Sequence, residues 1–505
     1  MIKFYMGHVF AFMDGPEKEI LDFGRHLQFF NKESLHRFNV PRFKYLMFED
    51  TENIFRYKIY SGLVPFATNK LRELGIQFQV EKDTSFVFKN GDIFTPPDGF
   101  LKGSKLRDYQ IQIVRKAVYR QRGIIALPTR SGKTEIAAAI IKHLNRPTLF
   151  LVHRENILRQ TYNLFKKRGL GDVVMLGGGT KGIGKITVAT VQTLLSRIEK
   201  QDNQVAENYA EKEVVFFDEV HHLKATTWRL IGEYCNAPYR FGLSATPFRE
   251  TKEAQHSFDD MALVGLTGDV IAYLSPNALM RRGYLARPRI YYVPVSEPVI
   301  SLPFDLPKRE VWHRVYTEGV VENNNRNAVF VDVASRMYKS GMKVLMLVTK
   351  VSHGKDILSQ VIQHVPMQDC IFVKGSREVY SYSPLVGLNK NRWPFEMVRS
   401  FIEDRKNCIV VGTSVMDEGV DVPSLNAVLI LSAQRSFQVT VQRAGRSLTP
   451  KKDGSEAWIV DAMDRTHPTL LRQAERRSKI LREIYNGADF KFGISNLMED
   501  LDRDL

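Results

Sequence analysis

The chain has 505 residues, which is room for about three domains of ordinary size. Apolar residues make up 44% of it, enough to give each domain its own core. Lys and Arg number 72 against 56 Asp and Glu, and the formal charge of +16 is spread along the sequence rather than gathered in a tail. This balance favours a polyanionic partner, although a merely soluble basic protein has the same composition.

Cysteine usage and the first residues exclude several classes of protein. Cys235, Cys370 and Cys408 are isolated and lack the paired spacing of a zinc site or a disulfide framework. The N-terminal apolar stretch is short and is interrupted by His8 and Asp14, without the architecture of a signal peptide. No other run is long enough to span a membrane. These features predict a protein of a reducing, intracellular setting with no membrane association.

Residues 1–95 are rich in aromatic and basic side chains and end at a turn-forming Pro-Pro-Asp-Gly sequence, which predicts a small α+β N-terminal domain. In part of this region cations alternate with aromatics, a pattern that suits stacking on bases or contact with a nucleic-acid backbone. An amphipathic strand whose Phe38 and Phe43 form a small core gives the same pattern. Arg42 and Lys44 are therefore the better nucleic-acid candidates.

Two α/β units follow, because short apolar runs alternate with helical patterns as buried parallel strands do. The predicted strands of the first unit are Gly123–Leu127, Thr148–Val152, Ile186–Ala189, Val214–Phe217 and Arg240–Leu243. Those of the second are Lys343–Val348, Ile371–Val373, Cys408–Val411, Ala427–Leu431 and Ala457–Val460. We interpret the Pro-containing stretch Pro288–Pro307 as their connection. The predicted domains span residues 1–95, 96–300 and 301–505, the last with C-terminal helices.

The first strand of the first unit leads into a loop and a helix, which is the context that a P-loop requires. Gly132 lets backbone amides close around phosphate oxygens at the helix N-terminus, Lys133 adds a point charge, and Thr134 supplies a hydroxyl for Mg²⁺. The first glycine of the general pattern is replaced by Leu127. The remaining nucleotide-binding candidates in the loop are Thr129, Arg130 and Ser131, and the Arg130 position often holds a small residue.

A second site follows the strand Val214–Phe217, which delivers two carboxylates at its C-terminal end, where open α/β sheets bind ligands. Asp218 suits a metal ion, and Glu219 suits orienting and deprotonating an attacking water. His221 is assigned a coupling role. His222 is left undecided, because adjacent histidines on an extended segment point to opposite sides and do not form a metal pair.

In this order the elements resemble those of superfamily 2 helicases of the DExH kind, over residues from about 100 to 465. The segments that carry the resemblance are the adenine-reading Leu106–Gln110, the P-loop, Asp218–His221 (motif II), Ser244–Pro247 (motif III), Gly412–Asp421 (motif V) and Gln442–Arg446 (motif VI). The resemblance implies two tandem RecA-like parallel-sheet motor domains, with ATP and Mg²⁺ as nucleotide and metal.

The resemblance also implies residue roles. The catalytic group then comprises Lys133, Asp218, Glu219, Gln442, Arg443 and Arg446, with Thr134 and Asp218 as metal ligands. Arg107, Gln110, Gly419 and Asp421 join the P-loop in nucleotide binding, and His221, Ser244 and Thr246 couple hydrolysis to movement. Thr449 departs from the pattern, because the family often has a further arginine there. Arg443 and Arg446, or another basic residue, must then supply the transition-state charge as the two units close on ATP.

Within the family, the sequence most resembles UvsW-type phage helicases, which remodel branched DNA. Short segments outside the shared motifs carry this likeness, namely Phe38–Tyr45, Leu63–Phe66, Gly177–Gly179 and Val351–Lys355.

Several loop residues just beyond predicted strands are candidates for gripping phosphates. They are Arg154, Gly178, Thr190 and Gln192 in the first unit, and Lys350, Gly375 and Thr413 in the second. The stretch 376–395 is longer than its UvsW-type counterpart and is interpreted as a strand-separating or junction-contacting insertion, or as a surface excursion. A basic C-terminal run with Arg476, Arg477, Lys479 and Arg482 on a helix is expected to be a solvated face.

The sequence therefore predicts an ATP-dependent DNA helicase that unwinds or branch-migrates forked and junction DNA in replication, recombination or repair. Two alternatives stay open: an RNA helicase or duplex-tracking subunit of a larger complex, and a nucleic-acid-binding scaffold with a degenerate motor. We expect a monomer in the cytoplasm, associated with the nucleoid, or in the host cytoplasm if the chain is viral.

Overall fold

The computed structural model describes residues 1–31, 34, 41–50, 54–82, 94–248, 257–303, 307–375, 378–383, 387–413, 424–433, 440, 443–445, 448–449 and 456–503. The chain forms two compact units. The first comprises Met1–Leu127 and Gly132–Tyr273, and the second comprises Leu274–Leu505 together with Pro128–Ser131. Among the described residues, no helix has both the length and the apolar character that crossing a membrane requires.

An N-terminal sheet opens the first unit. Its elements are β1 (Ile2–Met6), β2 (Phe10–Asp14), α1 (Glu17–Gly24), β3 (Gln28–Phe30), β4 (Phe43–Tyr45), β5 (Met47–Glu49), β6 (Tyr57–Tyr60), α2 (Val64–Glu73) and β7 (Phe78–Lys82), with short 3₁₀ helices at Arg25–Leu27 and Ser61–Leu63. The sheet order is β5-β6-β2-β1-β7, and β3 pairs with β4 as a separate ribbon. Ile2 and Phe4 are fully buried while Lys3 between them is not, so alternation directs one face to the core. The expected small α+β domain is confirmed.

The first motor sheet follows the N-terminal sheet. Its strands are β8 (Arg122–Ala126), β9 (Thr148–Val152), β10 (Val173–Gly177), β11 (Thr180–Lys181), β12 (Ile186–Thr190), β13 (Val214–Asp218), β14 (Tyr239–Ser244) and β15 (Val270–Tyr273). The helices are α3 (Asp108–Arg120), α4 (Lys133–Leu144), α5 (Glu155–Lys167), α6 (Val191–Glu199), α7 (Asn203–Ala210), α8 (Thr226–Tyr234) and α9 (Phe258–Thr267), with a 3₁₀ helix at Val220–Lys224. The order is β11-β10-β12-β9-β13-β14-β8-β15, and all pairs except β10–β11 are parallel.

The second motor sheet has the order β20-β19-β18-β21-β17-β22-β23-β16-β24. Its strands are β16 (Pro288–Val295), β17 (Lys343–Leu347), β18 (Cys370–Lys374), β19 (Glu378–Ser383), β20 (Gly387–Arg392), β21 (Cys408–Gly412), β22 (Ala427–Ile430), β23 (Ala457–Asp464) and β24 (Asp489–Phe492). The helices are α10 (Pro276–Arg281), α11 (Lys308–Tyr316), α12 (Asn324–Lys339), α13 (Val351–Val361), α14 (Phe395–Asp404), α15 (Pro468–Ile484) and α16 (Ile494–Arg503), with a π-helix at Thr317–Val321 and a 3₁₀ helix at Met367–Asp369. The two tandem parallel-sheet domains expected from the sequence are confirmed.

One strand of the second sheet lies where the sequence predicted a connection. β16 pairs in parallel with β23 along its whole length and with β24 over Arg289–Tyr292. Pro288 is its first residue, and Pro294 lies beyond the pairing with β24, so the missing proline N–H groups interrupt no two-sided ladder. The expected connection Pro288–Pro307 therefore begins inside the second sheet.

The N-terminal sheet packs directly on α9 of the first motor sheet. A Cβ atom placed on Gly62 would lie 2.2 Å from the Val264 carbonyl oxygen, and one placed on Gly265 would lie 2.7 Å from the Tyr60 ring. The Tyr60 hydroxyl also donates a hydrogen bond to Glu233. The N-terminal domain and the first motor sheet therefore share one packed interface within this unit.

Candidate functional site

The candidate phosphate-binding loop joins β8 to α4. Gly132 adopts a left-handed conformation with φ 78° and forms the N-cap of α4, so that residues with helical geometry begin at Lys133. The Lys133 ammonium donates to the Leu127 carbonyl oxygen at 3.1 Å. Thr134, in the first helical turn, is half-buried. A helix N-terminus with a lysine and a hydroxyl in its first turn fits the phosphates and the hard cation of a nucleotide.

The loop residues before Gly132 form a tight turn of their own. The Ser131 hydroxyl donates to the Pro128 carbonyl oxygen at 2.7 Å and is fully buried. Arg130 has φ 70°, an uncommon conformation for a residue other than glycine. Thr129 and Arg130 are half-buried. Arg130, at a position that often holds a small residue, therefore also has an uncommon backbone conformation.

Gln110 packs against Gly132 from the start of α3. Its side-chain oxygen Oε1 accepts the backbone N–H of Arg107 at 2.9 Å, which caps the helix. A Cβ atom on Gly132 would lie 2.4 Å from Gln110 Nε2, so the glycine permits the close approach of this amide. The Arg107 guanidinium donates to the Tyr109 hydroxyl at 3.0 Å. The two residues assigned to adenine reading therefore lie together beside the phosphate loop.

The two carboxylates of motif II follow β13. Glu219 has φ 48°, a left-handed conformation that non-glycine residues adopt mainly where the surroundings hold it. Burial raises the pKa of the Asp218 carboxyl, and Glu219 acts in the same direction, whereas Lys133 and His153 lower it. A partly buried carboxylate beside a lysine and a second carboxylate fits a divalent cation, because the cation would stabilise the ionised form.

Motif III lies beside motif II because β14 pairs with β13. The Ser244 hydroxyl donates to Glu219 Oε2 at 3.2 Å and accepts the Thr246 backbone N–H at 3.1 Å. His221 Nδ1 lies 3.3 Å from Ser244 Oγ and 3.4 Å from Glu219 Oε2. Ser244 and Thr246 are buried. The side chains assigned to coupling therefore form one network with the candidate general base.

The two histidines of motif II do not diverge, and that expectation is wrong. Their segment is a 3₁₀ helix, not an extended strand, and the His221 and His222 rings lie 4.5 Å apart. His222 also stacks on Trp228 at 5.3 Å and lies 4.6 Å from His153. Sequence reasoning missed His153. The available signal was its position immediately after the predicted strand Thr148–Val152.

The phosphate-gripping candidates of the first unit follow neighbouring strands, because β10, β12 and β9 are adjacent. Arg154 is the half-buried N-cap of α5, and Gly178 has φ 59° beside Glu155. Gln192 is exposed. Thr190 is 7% exposed and its hydroxyl donates to the Thr193 hydroxyl at 2.8 Å, so its side chain is largely buried and already bonded within α6. These residues are brought to one edge of the sheet.

The N-terminal candidates Arg42 and Lys44 lie on or beside the β3–β4 ribbon, in a different part of the unit. Arg42 is exposed and lies 5.9 Å from the Phe43 ring centroid. Lys44 is half-buried, with its ammonium 5.6 Å from the Phe258 ring at the start of α9. Phe38 lies outside the described residues. The contact of Lys44 favours a role in docking the ribbon on the motor sheet.

In the second unit, three candidates end neighbouring strands. Lys350 is the exposed N-cap of α13, Gly375 has φ 62°, and the buried Thr413 donates its N–H to the Val373 carbonyl oxygen at 3.2 Å. Arg443 is 2% exposed and donates to the Ser432 hydroxyl. The remaining candidates lie outside the described residues, namely Gly419, Asp421, Gln442 and Arg446.

The basic C-terminal run lies on α15, as expected, and Arg476, Lys479 and Arg482 are exposed. Arg477 is not part of a solvated face, and that expectation is wrong for it. Its guanidinium is 1% exposed and forms an ion pair of 2.9 Å with the fully buried Asp461. Arg477 therefore holds the helix on the sheet.

Comparison with known families agrees with this geometry. Residues 103–249 match the model described as type III restriction enzyme, res subunit. Residues 328–449 match the helicase conserved C-terminal domain. The first match covers the P-loop and motifs II and III, and the second covers the segments assigned to motifs V and VI. Both halves of a helicase motor are therefore present.

The similarity to individual proteins extends over most of this chain. A DNA 3'-5' translocase, XPB2 of Sulfurisphaera tokodaii, is 25% identical over 424 residues, or 80% of this chain and 90% of that protein. The structure of an ATP-dependent type ISP restriction-modification enzyme bound to DNA, LlaBIII, has a TM-score of 0.57 at 15% identity, over 85% of this chain and 34% of the other. The T4 UvsW structure has a TM-score of 0.44 at 16% identity, over 97% and 99%. The LlaBIII likeness supports the fold.

Proposed function

Because the chain belongs to the superfamily 2 helicases, which are ATP-dependent enzymes, we propose that it is a DNA helicase or translocase acting on forked and junction DNA. The proposed processes are replication, recombination or repair. The observation that carries the proposal is the arrangement around the carboxyl ends of β8, β13 and β14. There Gly132 and Lys133, two carboxylates and a serine network lie within the first unit.

In the proposed reaction, the P-loop holds the phosphates of ATP. Gly132 opens the loop for the close approach of backbone amides, and Lys133 leaves the Leu127 carbonyl to contact phosphate oxygens. Thr134 and Asp218 would hold a divalent cation, which we propose to be Mg²⁺. When bound, this cation neutralises charge on the phosphates.

Glu219 is the proposed general base. Ser244 donates to Glu219 Oε2, which leaves Oε1 to accept a proton from the water that attacks the γ-phosphate. The same serine lies 3.3 Å from His221. A change in the position of the Glu219 carboxylate is therefore transmitted to motif III through the Ser244 side chain. Arg443 and Arg446 are the proposed source of positive charge in the transition state.

DNA as the partner is supported by the similarity to the DNA 3'-5' translocase of Sulfurisphaera tokodaii and by the net charge of +16. The preference for branched DNA rests on the sequence likeness to UvsW-type helicases. Phosphate contacts in the loops after neighbouring strands would let the motor grip a strand without reading its sequence. We further propose a monomer that works in the cytoplasm with nucleoid DNA, or in the host cytoplasm if the chain is viral.

The test is the ATPase rate of the full chain with forked DNA, linear duplex, single-stranded DNA and single-stranded RNA. We expect the largest stimulation with forked DNA, and hydrolysis that is lost in a Lys133→Ala control. Strongest stimulation by RNA would replace the proposal with an RNA helicase. Wild-type hydrolysis no higher than the Lys133→Ala background on every nucleic acid would indicate a scaffold with a degenerate motor.

A further inference from the structure

The hairpin formed by β19 and β20 extends the second sheet at one edge. β19 pairs antiparallel with β18, and β20 pairs with β19 as the outermost strand of the sheet. Its two strands cover most of the stretch 376–395, which the sequence analysis interpreted as an insertion or a surface excursion. The motor chemistry described above does not use it.

One end of the hairpin lies near the carboxyl edge of the sheet, where we propose that nucleic acid binds. The register of its strands shows which end this is. Glu378 is opposite Lys374, at the carboxyl end of β18, whereas Ser383 pairs with Gly387 beyond the amino end of that strand. Ser383 and Gly387 therefore lie at the far end of the sheet from Gly375. This geometry does not favour a strand-separating pin at the carboxyl edge. The end of the hairpin formed by Glu378 and Arg392, its base, lies beside Lys374 at the carboxyl end of β18.

Cations from two strands, β18 and β20, share one face at this base. Directly paired residues point to the same side of a sheet, so Lys374, Glu378 and Arg392 form one row across the three strands. Phe372, Tyr380 and Lys390 form the next row.

Helix α13 covers the inner part of the same face. A Cβ atom on Gly354 would lie 2.3 Å from the Phe372 ring, so the helix backbone passes directly over this strand. The Lys355 ammonium lies 4.8 Å from the Tyr380 ring centroid. Lys390 and Arg392 therefore continue, on β20, the face that begins at the N-terminal half of α13.

Positive charge is in excess on this face, with four cations to one carboxylate among the residues just named. Glu378 is this carboxylate, and it forms ion pairs with Lys390 at 2.8 Å and with Lys374 at 3.1 Å. These two lysines lower the pKa of Glu378 to about 2. Arg392 is exposed, and no carboxylate in the described ranges forms an ion pair with it.

Charged side chains on an edge strand have a simpler role, which is to prevent pairing with another sheet. That role requires charge on β20 alone. Here Lys355 comes from a helix and Lys374 from the neighbouring interior strand, and both lie on the same face as Lys390 and Arg392. A group of cationic side chains contributed by α13, β18 and β20 is typical of a surface that binds a polyanion.

We propose that the cationic face formed by Lys355, Lys374, Lys390 and Arg392 binds the phosphate backbone of the nucleic acid on which the motor acts. The proposal rests on the proposed function, because it needs a nucleic-acid substrate. It adds a contact that lies outside the helicase motifs.

The test compares the double variant Lys390→Ala/Arg392→Ala with the double variant Arg336→Ala/Lys339→Ala. The control removes the same two charges from exposed positions of α12, whose C-terminal end precedes the amino end of β17. Fluorescence anisotropy of labelled forked DNA and of a labelled single-stranded oligonucleotide is measured over a range of salt concentrations. Each lost phosphate contact lowers the slope of log affinity against log salt by about 0.7 to 0.9. We expect a loss of about 1.5 in slope and roughly tenfold in affinity at moderate salt for the hairpin variant, and little change for the control.

A third variant, Glu378→Gln, gives an effect of the opposite sign. It removes the one negative charge and releases two lysines, so we expect a steeper salt slope and tighter binding, by about threefold. A face that only protects the sheet edge gives no gain. Equal salt slopes for the hairpin variant and its control, or weaker binding by Glu378→Gln at unchanged thermal stability, overturn the proposal.

The two probes also locate the contact. A change confined to forked DNA places it on the duplex arm, and a change on both probes places it on the tracked strand; either result supports phosphate binding. If wild-type protein binds and hydrolyses normally while the hairpin variant matches its control, this proposal alone fails. If wild-type protein shows neither DNA binding nor DNA-stimulated hydrolysis, the proposed function itself fails.

Discussion

Replacing Gln110 tests whether the residue that caps α3 also selects adenine. Its Oε1 accepts the Arg107 N–H at 2.9 Å while Nε2 lies against Gly132 of the phosphate loop. Adenine presents a donor and an acceptor side by side on one edge, and a glutamine amide matches both, whereas guanine presents two acceptors there. Gln110→Ala should therefore reduce the preference for ATP over GTP.

The size of the effect follows from one mismatched polar pair. Leaving a buried donor or acceptor unpaired costs about 1 to 3 kcal/mol, and Gln110 is 4% exposed. At about 1.4 kcal/mol per tenfold change, the ratio of kcat/KM for ATP to that for GTP should fall by roughly 5- to 150-fold. Loss of the helix cap lowers stability as well, but it affects both nucleotides equally.

The assay is steady-state hydrolysis of ATP and of GTP at saturating single-stranded DNA, with thermal unfolding measured in parallel. Gln110→Glu keeps the oxygen that caps the helix and loses the donor, so it should retain stability and discrimination while KM rises for both nucleotides. Gln112→Ala, an exposed change on the same helix, is the matched control. An unaltered ratio in Gln110→Ala would refute base reading by this residue.

Three further outcomes are expected. Glu219→Gln should bind ATP normally but lower turnover at least ~100-fold, the usual scale for a general base; unchanged turnover in the ATPase assay would show that the base is misassigned. Arg326→Met should cost about 3 to 5 kcal/mol in urea unfolding, because it leaves fully buried Asp464 unpaired, and adding Asp464→Leu should recover most of the loss. Burial lowers the pKa of Lys212 to about 8. Between that value and the higher pKa of the unfolded chain the unfolded state binds more protons, so stability should rise with pH there, and this slope should be absent in Lys212→Met.

The positions of the parallel strands were predictable because strands covered on both faces are apolar throughout. The run Val214–Phe217 was predicted and the observed β13 is Val214–Asp218, with all but its last residue buried. Strand order was not predictable in the same way. β8 lies between β14 and β15, and such pairing depends on contacts between residues far apart in sequence.

The same distinction applies to the candidate site. Gly132, Lys133 and Asp218 were predicted because each follows or precedes a readable strand or helix. The place of His153 beside His222 was not, since it depends on β9 pairing with β13. The helix-capping role of Gln110 was also missed, because an arginine at the N-cap gives no sequence signal of a cap.

The contacts within the first unit link the candidate base to the N-terminal domain through α9. Glu219 bonds Ser244, and the 3₁₀ helix that begins after Glu219 ends at Lys224, whose ammonium pairs with the fully buried Asp260 of α9. Two residues of the same helix, Val264 and Gly265, pack on the N-terminal sheet. Packing this close leaves no space for the sheet to slide on α9 without a clash. The N-terminal domain is thus a fixed extension of the catalytic unit, and its cations move with motif II and not independently of it.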